Sequence, residues 1–97
     1  MSIDVNIGSQ SINMANGNFA SLWAMLDLPR ESEGTVLAGD LTARIMLAQT
    51  FGVQERPRVQ DGNFIHCGID LDYIERKFST MLDMLATVPV DSEVEWY

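Results

Sequence analysis

The chain has 97 residues, enough for one domain, and a hydrophobic fraction of 46% that argues for a real core rather than disorder. Fourteen acidic residues stand against six basic ones, a formal charge of −8 that repels nucleic-acid phosphates and anionic membranes and favours basic protein surfaces. A single cysteine excludes an intrachain disulfide framework, and no stretch approaches the roughly 20 apolar residues that span a bilayer.

In chain order, Ser2 to Ile7 alternates, with Ile3, Val5 and Ile7 on one side and Asp4 and Asn6 on the other, the pattern of a half-buried strand. The polar run Gly8 to Asn18 reads as a loop. Phe19, Leu22, Trp23 and Leu26 then recur at helical spacing, with Asn16 or Asn18 as the cap and Pro29 as the stop near Leu28. After the charged connection Arg30 to Gly34 comes a short extended piece, Thr35 to Leu37.

Asp40 is placed to cap a second helix, Leu41 to Phe51, whose stripe is Leu41, Ile45, Ala48 and Phe51, widened by Met46 and Leu47 and closed by Gly52. Arg58 to Ile65 reads as a hairpin turning at Asp61-Gly62, a pair suited to the positive φ angles of a type I′ turn. Asp70 caps the longest helix, Leu71 to about Thr87, with Ile74, Phe78, Met81, Leu82 and Leu85 inward. Ser92 to Tyr97 alternates again as a final strand. The order predicts a single α+β domain over residues 1–97, with a small mixed or mainly antiparallel sheet of three to five strands and three helices packed on one face.

Reactive groups are few. His66 and Cys67 are the only ones of their kind and are neighbours in a predicted strand, so they point to opposite faces and do not easily meet on one substrate. Asp70 and Asp72, with Asp61 and His66 upstream, invite a metal, but the calcium-loop spacing is absent, zinc prefers more His and Cys, and helix capping explains both aspartates. Neither phosphate-binding glycine motif occurs, and capping is the better account of Asn16-Gly17-Asn18. The reading is therefore of a protein that is not an enzyme and carries neither metal nor cofactor.

Two kinds of surface are expected instead. One is acidic, with Asp70, Asp72, Glu75, Glu93 and Glu95 as charges and Phe64 as an apolar anchor that would meet the basic surface of a protein partner. In that arrangement Phe64, His66 and the cross-strand Val59 face outward, joined by Tyr97 if its strand is adjacent. The opposite orientation, with Phe64 under a helix, is left open. The other surface is a small positive patch of Arg56, Arg58 and Arg76, suited to a phosphorylated small ligand held by an oligomer. A structural or assembly subunit that forms a homo-oligomer is a further alternative.

Several short segments also carry a resemblance: Asp4-Val5-Asn6, Asn13-x-x-Asn16, Leu26-Asp27-Leu28, Asp61-Gly62-Asn63-Phe64-Ile65-His66-Cys67-Gly68, and Tyr73-Ile74-Glu75-Arg76-Lys77. With them the chain resembles a loose group of small uncharacterised proteins from bacteria and their phages or prophages. The resemblance implies a setting rather than an activity, and no functional residue transfers from it. In that setting a small acidic protein acts by occluding a basic surface of a host factor, with no direct contact to nucleic acid or membrane. The first residues, Met1 to Asn6, carry neither a basic nor an apolar run, so a cytoplasmic location is expected.

Overall fold

The computed structural model describes residues 2–52, 59–61, 64–66 and 69–97, with side chains over 2–52 and 69–97. Its elements are β1 (Ser2–Ile7), β2 (Gln10–Ala15), α1 (Asn16–Met25), β3 (Gly34–Leu37), α2 (Ala38–Phe51), β4 (Val59–Asp61), β5 (Phe64–His66), α3 (Leu71–Leu85) and β6 (Glu93–Trp96). The expected α+β class holds. Four strands form an antiparallel sheet in the order β2-β1-β6-β3, while β4 and β5 pair with each other.

The segment read as a loop contains the second strand. β2 pairs with β1 in full register, from Ser2 opposite Ala15 to Ile7 opposite Gln10. The two-residue connection is Gly8-Ser9, with Gly8 at φ 62°. A glycine with positive φ at the first of two turn positions is the signature of a type II′ hairpin turn, whose twist matches that of the strands it joins. Ile12 and Met14 point into the core and Ser11 and Asn13 point out, so the asparagines and serines that suggested a loop are the solvent side of an amphipathic strand.

The core lies between the sheet and the helices. β1 supplies Ile3, Val5 and Ile7, β2 supplies Ile12 and Met14, β3 supplies Val36, and β6 supplies Val94 and Trp96. From the helices come Phe19, Leu22 and Trp23, then Leu41 and Ile45, then Ile74, Phe78, Met81, Met84 and Leu85. Phe19, Trp23 and Trp96 form an aromatic knot, with Trp23 and Trp96 edge to face at 5.5 Å. The indole Nε1 of Trp96 donates to the Glu31 carbonyl at 2.9 Å, which fastens the connection before β3.

Capping departs from expectation at two helices and agrees at the third. α1 begins at Asn16 with Ala15 at the cap position and no side-chain cap bond, so neither Asn16 nor Asn18 caps it. Its C-terminus is a Schellman closure: Leu28 N–H donates to the Trp23 carbonyl at 2.9 Å and Asp27 N–H to the Ala24 carbonyl at 3.2 Å. Asp27 occupies the left-handed position, φ 56°, that usually holds glycine. Arg44 reinforces this end from α2, donating from one guanidinium nitrogen to the carbonyls of Leu26 at 2.9 Å and Asp27 at 3.2 Å.

α2 starts at Ala38, not after Asp40. The N–H groups of Ala38 and Gly39 donate to the carbonyls of Ser92 and Val90 at 2.8 Å, so backbone from the α3–β6 connection does the work assigned to an aspartate cap. Asp40 sits in the first turn and pairs with Arg44 at 3.0 Å. The inward stripe is narrower than expected: Leu41 and Ile45 are buried and Ala48 partly so, whereas Met46, Leu47 and Phe51 are exposed. At α3 the Asp70 carboxylate accepts the Tyr73 N–H at 2.7 Å, the expected cap.

Candidate functional site

Three helices cover one side of the sheet. Among the described residues no element packs on the other side, and its composition follows from the period-2 alternation of four strands. Across the sheet, Ser11, Asn6, Glu95 and Thr35 form one row by register, and Asn13 and Asp4 begin a second that continues to Tyr97. Tyr97 and Asp4 exchange backbone hydrogen bonds of 2.9 and 3.1 Å. Glu93 stands opposite Leu37, further along β6. The sequences of these strands contain no lysine or arginine, so Asp4, Glu93 and Glu95 share a face with no cation of its own, and Glu33 adds a fourth carboxylate at its border.

The face is pre-ordered at one end. Asn13 Nδ2 donates to the Asp4 carboxylate at 2.7 Å and to the Ser2 hydroxyl at 3.0 Å. This holds Asp4 in one rotamer without neutralising it. At the other end Glu33, Gly34, Thr35, Glu95, Trp96 and Tyr97 line a shallow depression. It puts two carboxylates and the exposed ring of Tyr97 around a low point in the surface.

Of the residues marked out by sequence, Glu93 and Glu95 lie on this open face. Asp70, Asp72 and Glu75 lie at the start of α3, in the helix layer, so the five charges do not make one surface. Two of those three are also engaged: Asp70 caps the helix and Asp72 pairs with Arg76 at 3.0 Å. Glu75 borders a separate hollow of about 540 Å³ between α2 and α3, lined also by Gln49, Gly52, Leu71, Phe78 and Ser79. Tyr97 directly follows β6, whose neighbours in the sheet are β1 and β3 rather than β4 or β5.

Arg76 is bound to Asp72 and lies with Lys77 over the Tyr73 ring, 6.0 and 5.4 Å from its centroid. The Tyr73 hydroxyl is pushed above its ordinary pKa of 10.0 by burial, opposed by a hydrogen bond to Asn18 and by the charge of Arg76. Arg56, Arg58 and Cys67 lie outside the described residues, as do the side chains of Phe64 and His66. The backbone register of the hairpin is described: Val59 pairs with His66 and Asp61 with Phe64. Asp61 is thus part of the ladder rather than the first residue of the turn.

Among the described residues, no group of three or more His, Cys, Asp or Glu could hold a metal ion. No described helix is long and apolar enough to cross a membrane. The chain matches no protein-family model, no curated protein and no solved structure. The resemblance to small bacterial and phage proteins therefore rests on its short motifs alone.

Sequence reasoning named Glu93 and Glu95 but missed Asp4, Glu33 and the supporting Asn13. The signal was available in Ile7-Gly8-Ser9-Gln10, where Gly-Ser between two alternating runs marks a two-residue hairpin. Pairing β1 with β2 at that turn would have put Asn13 beside Asp4.

Proposed function

We propose that the protein is a non-enzymatic binding module whose open sheet face meets a basic surface on a protein partner and occludes it. The observation that carries this reading is the open face itself: Asp4, Glu93 and Glu95 on strands that contain no basic residue, with one carboxylate held in place by Asn13. Ser11, Asn6, Thr35 and Asn13 surround the carboxylates with short polar side chains, and the exposed ring of Tyr97 stands beside them. A partner cleft lined with Lys or Arg, of the kind that otherwise holds nucleic acid, has the matching charge.

Such a face steers association from a distance, and the whole-molecule charge of −8 adds to the field. A location in the cytoplasm and a phage or prophage setting fit this reading and belong to it.

Affinity capture from a cell lysate at about 50 and 500 mM salt tests the proposal, with the Glu93→Gln/Glu95→Gln double variant alongside. The expected captured partner is basic, is lost at the higher salt and is lost with the double variant. A partner retained through both changes would overturn the reading.

A further inference from the structure

α2 carries apolar positions on two sides, and among the described residues only one of them is covered. Leu41, Ile45 and Ala48 face the core. On the opposite side Ala43, Met46, Leu47 and Thr50 recur at i, i+3, i+4 and i+7, all exposed, with Met46 and Leu47 more than half accessible and Phe51 beyond them 84% accessible. That spacing is the seam of a helix that packs against another helix.

Two further observations show that this seam tolerates loss of water. Thr50, its one polar side chain, turns its hydroxyl onto the Met46 carbonyl at 2.8 Å, so its hydrogen bond is made within the helix. The sequence from Ile45 to Gln54 contains no charged residue, in a chain with 20 charged residues among 97. The nearest charges on α2, Asp40 and Arg44, neutralise each other at 3.0 Å.

We infer that α2 is the contact of a homodimer, with two copies packing their Ala43-Met46-Leu47-Thr50 seams across a two-fold axis. The occupant follows from charge. A two-fold contact sets the same patch against itself, so a patch with a net charge would repel its copy. In a molecule of −8 the surface that another copy can approach is a neutral one, and α2 offers it. A basic partner would be drawn instead to the open sheet face, on the far side of the sheet from the helices. Ala43 lets the two backbones come close, and Met46 and Leu47 fill the space beside it. The dimer leaves both acidic faces outward, so each retains access to a partner.

A 14-residue helix is about 21 Å long, which makes this a small interface and a dimer that dissociates on dilution. Its salt response is opposite to that of the acidic face. Salt screens the repulsion between two like-charged molecules while leaving apolar contact intact, so dimerisation strengthens as salt rises.

Sedimentation velocity on the full chain, from about 1 to 500 µM and at about 50 and 500 mM salt, tests the inference. The wild type is expected to pass from monomer to dimer with concentration, at lower concentration in the higher salt. Leu47→Glu and, separately, Met46→Glu are expected to weaken dimerisation at least about tenfold, since each puts a charge in the seam. Ser11→Glu, an equal charge change on the open sheet face, should leave the Leu47-dependent association in place. Far-UV circular dichroism establishes that each variant is folded, and both seam residues are exposed. A wild type that stays monomeric throughout, or a dimer unaffected by both seam variants, would overturn the inference. So would a dimer that Ser11→Glu weakens as much as they do.

Discussion

Gly34 and Trp96 face each other across the β3–β6 ladder, and the indole fills the space a side chain at position 34 would need. A Cβ there would lie 2.9 Å from Cε2 of the ring, well inside van der Waals contact. The ring cannot retreat, because it is packed against Phe19 and Trp23 and held by the Glu31 carbonyl. Gly34→Ala is therefore expected to destabilise the fold by about 2–3 kcal/mol, a fall in Tm of roughly 10–20 °C for a domain of this size. Thermal unfolding followed by the near-UV signal of the tryptophans measures it.

Gly8→Ala should act at the β1–β2 turn. The backbone there has φ 62°, and a Cβ would lie 2.8 Å from Cγ1 of Val88. Strain and contact together are expected to cost about 1–2 kcal/mol in urea denaturation. Gly17→Ala serves as the contrast. It lies in α1 with nothing within 4 Å of the new Cβ, and is expected to be neutral or to stabilise by up to about 1 kcal/mol.

Asp27→Gly is expected to stabilise. Asp27 holds the left-handed position of the closure of α1, where an ordinary residue is strained and glycine is not. The Arg44 bond runs to the backbone carbonyl of residue 27 and survives the change. A gain of about 0.5–1 kcal/mol in urea denaturation is the expected result.

Asp70→Ala removes the cap of α3 and should cost about 1 kcal/mol, while Asp70→Asn, which keeps an acceptor for the Tyr73 N–H, should cost little. Both variants remove one negative charge. Equal effects of the two on folding would show that charge, not capping, is what position 70 supplies.

Tyr73 gives stability a pH dependence in the alkaline range. Burial raises its pKa in the folded state above 10.0, so the folded chain keeps the phenolic proton to higher pH than the unfolded chain does. The contribution is fully present below pH 10, and is lost as pH rises through the folded-state value. Tyrosinate absorbance in a Tyr97→Phe background should show Tyr73 ionising late, and Tyr73→Phe should flatten the decline of stability in that range.

The parts of the fold that were legible in the sequence are those where one physical rule acts alone. β1, β6 and α3 have clean periodicity, and Asp70 is a short acceptor directly ahead of a periodic run. The misread parts are those where a local rule was overridden by a distant partner. Asn16 and Asp40 are good caps by type, yet α1 follows directly on β2, and α2 is started by carbonyls from Val90 and Ser92, some fifty residues away. Met46, Leu47 and Phe51 read as inward yet are exposed, because hydrophobicity marks a stripe without saying which of two stripes is buried. For the candidate face, Glu93 and Glu95 could be read from alternation alone. The pairing of Asp4 with Asn13 is marked by the Gly8-Ser9 turn, but their place beside Glu95 and Tyr97 depends on the β1–β6 pairing, which no single stretch of sequence carries.

The place of β6 has a consequence for how the chain comes to be folded. The last strand in sequence is an interior strand of the sheet, between β1 and β3. During synthesis the β1–β2 hairpin and α1 can form early, since their contacts are local, but β1 and β3 must wait with open edges until residues 93–96 have left the ribosome. Until β6 is made, β1 and β3 are thus separated by an empty place in the sheet, open to any other extended segment. The sheet closes only once β6 is made, and the acidic face, which takes Glu93 and Glu95 from that strand, comes into being with it.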